Sequence, residues 1–417
     1  MERGTKICLE QSIQNYAGSA KITIICVKRM SNSITYLDTQ SAFDKEIGGL
    51  KGNSWIGFDT EFVGERTFVP ILCLLQIVAE NGIFLVDTLK VKNLNAFLQI
   101  VEDPATLKIT HAGDNDYRLL NMLFGTIPAN IFDTQIAAGF VGYNYPAGFG
   151  KIVEREINIS LSKSHTVADW EARPIEEKAL VYAIEDVKYL PSLHKKLSAK
   201  LARLHRTTWA EEEARKWQTE EFYSSDPYKE ALGSDFIYQL DIREQVFLLR
   251  VYAWRRQRAM DLNVPKEQVV QSRHISAIMR ALKDGSGAVR ANRTIPENTW
   301  KKHHADWLIL WRNPVTPEEK AVLDRLPGPP PDDPELDWHY ELLYHFVKKQ
   351  CLDNEISAAL LFPRGDFNKL KNGHPDFDPS ILEGWRANLL GPQLTEWFKL
   401  GKPLKLHWDA QGCRIGQ

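Results

Sequence analysis

The segment "ILCLLQIVAENGIFLVD", Ile71–Asp87, constrains the fold more than any other. Two short apolar runs flank Asn81-Gly82, a pair that tolerates the positive φ values of a type I′ turn, so a hairpin is expected. Around it, "ITYL", "WIGFDTEF" and "LKIT" read as strands, being short, β-branched and apolar. "KNLNAFLQIVED" and "DNDYRLLNMLF" space apolar residues three and four apart and read as helices. A hairpin followed by strands alternating with helices implies an α/β domain on a mixed sheet flanked by helices. From Glu176 onward the pattern is helical. "PIEEKALVYAIEDVKYLPSLHKKLSAKLARL" predicts a long helix bent at Pro191, and "AEEEARKWQTEEFYSSDPYKE" a solvated connecting helix. "RLPGPPPDDPELD" forbids both helix and strand and reads as a linker. A chain of 417 residues exceeds one compact core. The expected division is an extension at 1–30, the α/β domain at 31–205, a connection at 206–234, and two all-α modules at 235–325 and 326–417.

The strand "IGFDTEFV" carries the chemistry. Asp59 and Glu61 are two apart, so they share one face of a strand that otherwise reads as buried. Paired carboxylates there resist joint ionisation, and a positive partner is required. "ITHAGDNDYRLL" places Asp114 and Asp116 where a strand ends and a helix begins. Either could simply cap that helix, and spacing alone does not separate them. "LVYAIEDVKYL" puts Tyr182 and Asp186 four apart, on a helix face shared with Ala179, Ala183 and Leu190. A carboxylate on an apolar helix face is unusual. Converging carboxylates without His or Cys at ligand spacing form a hard-oxygen site suited to Mg²⁺ or Mn²⁺ rather than zinc. Two such ions roughly 4 Å apart suit in-line phosphodiester cleavage. Tyr182, with an ordinary pKa near 10, would orient water rather than act as a base.

Five scattered cysteines form no CxxC pair, which fits a reducing, cytoplasmic setting. No stretch approaches the ~20 apolar residues of a membrane span. "ITIICV" is shorter than a secretory core of about 7–15 residues, so residues 1–29 read either as a dispensable extension or as an extra edge strand. A net charge of −2 makes any nucleic-acid footprint local. Between Arg250 and Arg293 ten Lys or Arg face three acids, and this window includes Arg255 and Arg256, candidate RNA contacts. A solvated helical surface explains the same window. Tyr252 and Trp254 read as core. In the α/β domain, His111 could reach a phosphate or cap a loop. Trp170 and Arg173 read first as loop locks and second as contacts to an RNA 3′ end. Phe62 is expected in the core, and Gln76 lies beside the acidic motif.

In order, "FDTEF", "HAGDNDYRLL" and "YAIEDVKYL" resemble the three exonuclease motifs of the DEDD superfamily, in its tyrosine-bearing branch. "FDTQIAA" and "ADWEARPIEEKALVYAIEDVKYL" are similar to the ribonuclease D family. The resemblance spans roughly Ile34 to Leu204. It implies a ribonuclease H-like exonuclease fold and selects Asp116, five residues after His111, over Asp114. It implies that Asp59 bridges two metals, Glu61 holds the first and Asp116 the second, with Tyr182 and Asp186 completing the set. "LDIREQVFLLRVYAWRRQRAMDLNVPKEQVVQSRHISAIMRAL" resembles an HRDC domain, and "NEISAALLFPRGDFNKL" with "ILEGWRANLLGPQL" resembles a second such module. The implied activity is a 3′→5′ exoribonuclease acting on structured, tRNA-like 3′ ends and releasing 5′-mononucleotides, as a monomer. A 3′→5′ DNA exonuclease and a non-catalytic RNA-binding scaffold are the alternatives.

Overall fold

The computed structural model describes residues 9–12, 23–27, 33–161, 168–224, 226–285, 294–326, 333–373, 377–400, 406–409 and 412–415. The "PGPPPDD" insert falls largely outside them, as do Arg290 and Arg293. The α/β part is an eight-stranded sheet in the order β1-β2-β3-β6-β5-β4-β7-β8. The strands are β1 Leu9–Ser12, β2 Thr23–Val27, β3 Ile34–Leu37, β4 Trp55–Val63, β5 Ile71–Ala79, β6 Gly82–Asp87, β7 Leu107–Thr110 and β8 Ile131–Asp133. β4, β5 and β6 form an antiparallel meander, while β3 joins β6, and β7 and β8 follow β4, in parallel. The sheet is mixed, as expected. The short strands β1 and β2 extend its edge, β2 antiparallel to β3 and β1 antiparallel to β2, which matches the edge-strand reading of the N-terminal segment.

The hairpin forms with its tip one residue earlier than expected. Ala79 pairs with Gly82, so Glu80 and Asn81 make the turn, and neither has positive φ. The glycine answers a different need: a Cβ on Gly82 would lie 2.7 Å from the Ser33 carbonyl oxygen, which accepts from the Ile83 N–H.

One sheet face presents Ile56, Phe58, Leu75, Ile77 and Val86 to a large core shared with α1 (Gln40–Gly48), α2 (Asn95–Glu102), α3 (Asp114–Phe124), α4 (Thr134–Gly139), α5 (Phe149–Ile157) and α7 (Leu190–Arg203). The opposite face presents Leu74, Val78, Ile83 and Leu85 to α6 (Glu177–Lys188). α6 and α7 break at Tyr189, with Pro191 in the first turn of α7. Gly57 sets the approach of this junction, because a Cβ there would lie 2.7 Å from Val78 and 3.1 Å from Leu190.

Two expectations are corrected here. The 207–218 stretch is not solvated: α8 (Thr207–Arg215) and the turn after it bury Ala210, Ala214 and Trp217 in the large core. Its apolar residues follow a narrow stripe that its many acids obscured in the sequence. Phe62 is also not core; it is 37% exposed, because the β4–β5 register shifts after Glu61 and the pairing skips Cys73. Such a bulge re-aims the side chains that follow it.

The helical remainder divides between two cores. Residues around the helix Ile242–Leu262 close their own cluster with the helices Ser272–Asp284 and Glu297–Arg312. The helices Pro334–Asp353, Ala358–Leu361 and Gly384–Leu400, the last kinked at Gly391, instead join the α/β core through Leu343, Val347, Leu360 and Trp385.

Candidate metal centre

β4 and α6 converge on one point. The alternation of β4 turns Asp59 and Glu61 toward α6, and the i, i+4 spacing on α6 turns Tyr182 and Asp186 toward β4. Carboxylate oxygens of Asp59, Glu61 and Asp186 all lie within 4.8 Å of one another. Asp116, in the first turn of α3, is buried beside them, with the Thr60 hydroxyl donating to its Oδ1. Asp114 stands outside this group and is only partly buried. The cluster opens into a cleft of about 190 Å³ lined by Phe58, Asp59, His111, Phe149, Tyr182, Asp186 and Leu190.

The electrostatics state what the cluster lacks. Burial, then the charges of Asp116, Asp186 and Glu61, push the Asp59 carboxyl well above its ordinary range. Burial, then Asp186 and Asp116, push Glu61 up to about 8. Burial raises both Asp116 and Asp186 to about 7, against the opposing hydrogen bonds of Thr60 and Tyr182 respectively. Asp186 Oδ2 is buried with no hydrogen-bond partner. Crowded carboxylates that do not ionise freely, with one buried oxygen left without a protein donor, fit a divalent cation. Burial, then Asp186, Glu61 and Asp59, raise the Tyr182 phenol above its ordinary value, so it keeps its proton.

These shifts give a pH dependence. Unfolded carboxyls titrate near pH 4, while the folded cluster holds protons up to about pH 7–8. The folded state therefore binds more protons across this interval, and stability is lost as pH rises through it. Buried histidines such as His111 are shifted down, by burial first, and their opposite contribution is complete near pH 6.5. Metal-free protein is thus expected to melt at a lower temperature at pH 8.5 than at pH 6.5. Millimolar Mg²⁺ should largely remove the difference by replacing the protons. Thermal melts in EDTA and in Mg²⁺ check this; a metal-free melting temperature that is flat or rises with pH contradicts it.

The other candidates fare differently. His111 lines the cleft, but burial lowers its pKa to about 4, so it is a neutral ring and not a phosphate-binding cation. Its Nδ1 lies 2.9 Å from Thr134 Oγ1, which itself donates to the Thr110 carbonyl. Arg173 locks its loop, the first of its two readings. It makes a bidentate pair with Asp87 at 2.8 Å and also donates to the carbonyls of Trp170, Ala172 and Cys73. Trp170 is buried in the same loop and packs 6.4 Å from the Tyr182 ring, supporting the tyrosine from behind. Arg255 is corrected outright: its side chain is fully buried and pairs with Glu230 and Glu267. Arg256 lies 6.0 Å over Phe68, on the loop between β4 and β5. The basic window is also weaker than its count. Arg250 pairs with Glu319, Lys266 with Glu230, and Lys283 with Asp241 and Glu244, all acids outside the window.

Sequence reasoning assigned no role to Asp133 or Thr60. Asp133 caps α4 and accepts from the N–H groups of Gln135, Ile136 and Gly113 and from the Thr110 hydroxyl. It thereby pins the turn that launches α3 and places Asp116. The signal was present, since Asp immediately before a helical run is a cap. Thr60 had none, because it lies on the opposite strand face from the acids.

Comparison with known proteins agrees with this geometry. Residues 34–202 match the family model described as a 3'-5' exonuclease. The chain is 27% identical over 374 residues to ribonuclease D of Bartonella henselae, covering 88% of this chain and 91% of that protein. It is 28% identical over 377 residues to ribonuclease D of Serratia proteamaculans, covering 87% and 98%. The crystal structure of Escherichia coli RNase D, described as an exoribonuclease involved in structured RNA processing, superposes with a TM-score of 0.75 at 26% identity, covering 87% of this chain and 98% of that one.

Proposed function

We propose that this chain, a 3′→5′ exoribonuclease similar along most of its length to ribonuclease D, trims structured, tRNA-like RNA 3′ ends with two divalent cations, Mg²⁺ or Mn²⁺. The observation that carries the metal reading is the trio Asp59, Glu61 and Asp186, with Asp186 Oδ2 left without a protein partner. Asp59, Glu61 and Asp186 would hold one ion, and Asp59 with Asp116 the other. Bound there, the ions supply an acidified water and a charge sink for the leaving 3′-oxygen. The chain's own groups do the positioning. Tyr182 donates its retained proton to Asp186, and its oxygen accepts from the attacking water, aligning it with the scissile phosphate. Trp170 holds the Tyr182 ring. The neutral His111 ring and Phe149, 5.1 Å apart, wall the cleft where the terminal nucleotide enters.

The proposed products are 5′-mononucleotides and the proposed working form is a cytoplasmic monomer. Two thiols, Cys73 and Cys351, are free and buried, which suits a reducing compartment. No helix among the described residues is long and apolar enough to cross a membrane. We propose an exonuclease domain at 31–205, a connection at 206–234 and HRDC-like modules at 235–325 and 326–417, with parts of the connection and of the last module packed into the exonuclease core rather than standing apart.

The test is a cleavage time course on a 5′-labelled tRNA with a 3′ extension and on a matched single-stranded DNA, in Mg²⁺, Mn²⁺ or EDTA. A metal-dependent ladder shortening the RNA alone from its 3′ end is expected. Equal shortening of DNA would favour a general 3′ exonuclease, and inert RNA under every metal would leave the scaffold reading.

A further inference from the structure

Gln76 is in the wrong place for a residue chosen by folding alone. It sits in the middle of β5, between β4 and β6, and is fully buried. Its same-face neighbours on β5, Leu74 and Val78, are apolar. Neither its carboxamide nitrogen nor its oxygen has a hydrogen-bond partner. Buried polar groups are almost always paired, and an unpaired one calls for a water, an ion or a functional role. An apolar side chain would serve this sheet face better.

Its register says what it serves. Gln76 is directly opposite Asp59 in the antiparallel β4–β5 pair, so both side chains leave the same face, with Cβ atoms about 4.5–5.5 Å apart. Asp59 has complementary needs. Its carboxylate oxygens lie within 4.8 Å of those of Glu61 and Asp186, which offer acceptors and no donor. An unused donor thus stands beside an under-supplied acceptor. The last torsion of a glutamine is soft, so turning its amide costs little.

We propose that Gln76 is a positioning residue for Asp59: its carboxamide donates an N–H to the Asp59 carboxylate when that carboxylate is ligating. Ligating carboxylates are generally held by such outer hydrogen bonds, and losing one lowers metal affinity about 10- to 100-fold. This rests on the metal-site reading above.

The test is a Mn²⁺ titration by calorimetry on the full chain, beside metal-free thermal melts, for wild type, Gln76→Leu, Gln76→Met and Asp186→Asn. Gln76→Leu and Gln76→Met remove the donor and keep an apolar side chain of similar bulk; Met preserves the unbranched shape should Leu fail to fold. Both are expected to bind Mn²⁺ about 10- to 100-fold more weakly while melting no lower than wild type without metal. A merely structural glutamine would move the two readouts the other way, lowering the melt and leaving affinity alone. Mn²⁺ affinity within threefold of wild type in a folded Gln76 variant overturns the proposal. Wild type and Asp186→Asn binding Mn²⁺ alike would overturn the metal-site reading and this proposal with it.

Discussion

Asp186→Asn is expected to reduce cleavage by more than about 100-fold while the protein melts at an equal or higher temperature without metal. Residues that only support metal ligands already contribute 10- to 100-fold, so a ligand should exceed that. The stability half of the result follows from the cluster itself. Asp186 is a buried carboxylate whose free oxygen has no protein partner, and it raises the pKa values of Asp59 and Glu61. Asparagine keeps the shape and removes a repelling charge. Activity and stability thus move in opposite directions, which no folding defect imitates. The comparison to make is the rate of shortening of a 3′-extended RNA at saturating Mg²⁺, beside the melt in EDTA. A variant retaining more than a tenth of the wild-type rate would refute the carboxylate-held metal mechanism.

Trp385→Ala is expected to destabilise the nuclease core by about 3–5 kcal/mol, although the residue lies far along the chain in the last helices. Trp385 is fully buried. Its ring packs edge-on to Phe140 at 4.7 Å and stacks on Trp209 at 5.9 Å. Its indole N–H donates to Glu213 at 3.3 Å, and Glu213 also pairs with Arg386 at 2.8 Å. Around this contact the seam is closed by backbone groups. Arg206 donates to the carbonyls of Phe140 and Asn354, at 2.7 and 2.5 Å, and the Ser357 N–H to the Gly139 carbonyl at 2.9 Å. The C-terminal helices and α4 therefore unfold as one unit. Hydrogen exchange should accelerate at α4 and β8 together with the helix Pro334–Asp353. If only the last helices lose protection, the two parts are independent. The same packing means that deleting residues 235–417 would uncover Phe140 and Trp209, so such a truncation reports on stability before it reports on RNA binding.

The residues that the structure brings together share a property: their signal in the sequence is local. Asp59 with Glu61, and Tyr182 with Asp186, are each set by the period of one element, two on a strand and four on a helix. The mixed sheet followed from a hairpin and alternating strands and helices for the same reason. What was misread depended on partners distant in the chain. Four of the basic window's ten cations, Arg250, Arg255, Lys266 and Lys283, pair with Glu230, Asp241, Glu244 and Glu319, which a linear count could not assign. Arg255 carries the composition of a surface contact, and only packing sealed it. Phe62 obeyed strand alternation until a bulge shifted its register.

By itself, the sequence offered the groups that could act: Asp59 with Glu61 and Tyr182 with Asp186, each pair turned to one side by its element's period, and a choice between Asp114 and Asp116. Tertiary structure alone decided which of them meet. Gly57 lets the α6–α7 junction close on β4, Thr60 and Asp133 place Asp116, and Gln76 faces Asp59 across a strand pair. The physical reason is range. Side-chain direction follows from a few backbone torsions, whereas burial, charge pairing and the unmet hydrogen bonds that mark a functional residue exist only between segments that the fold brings together.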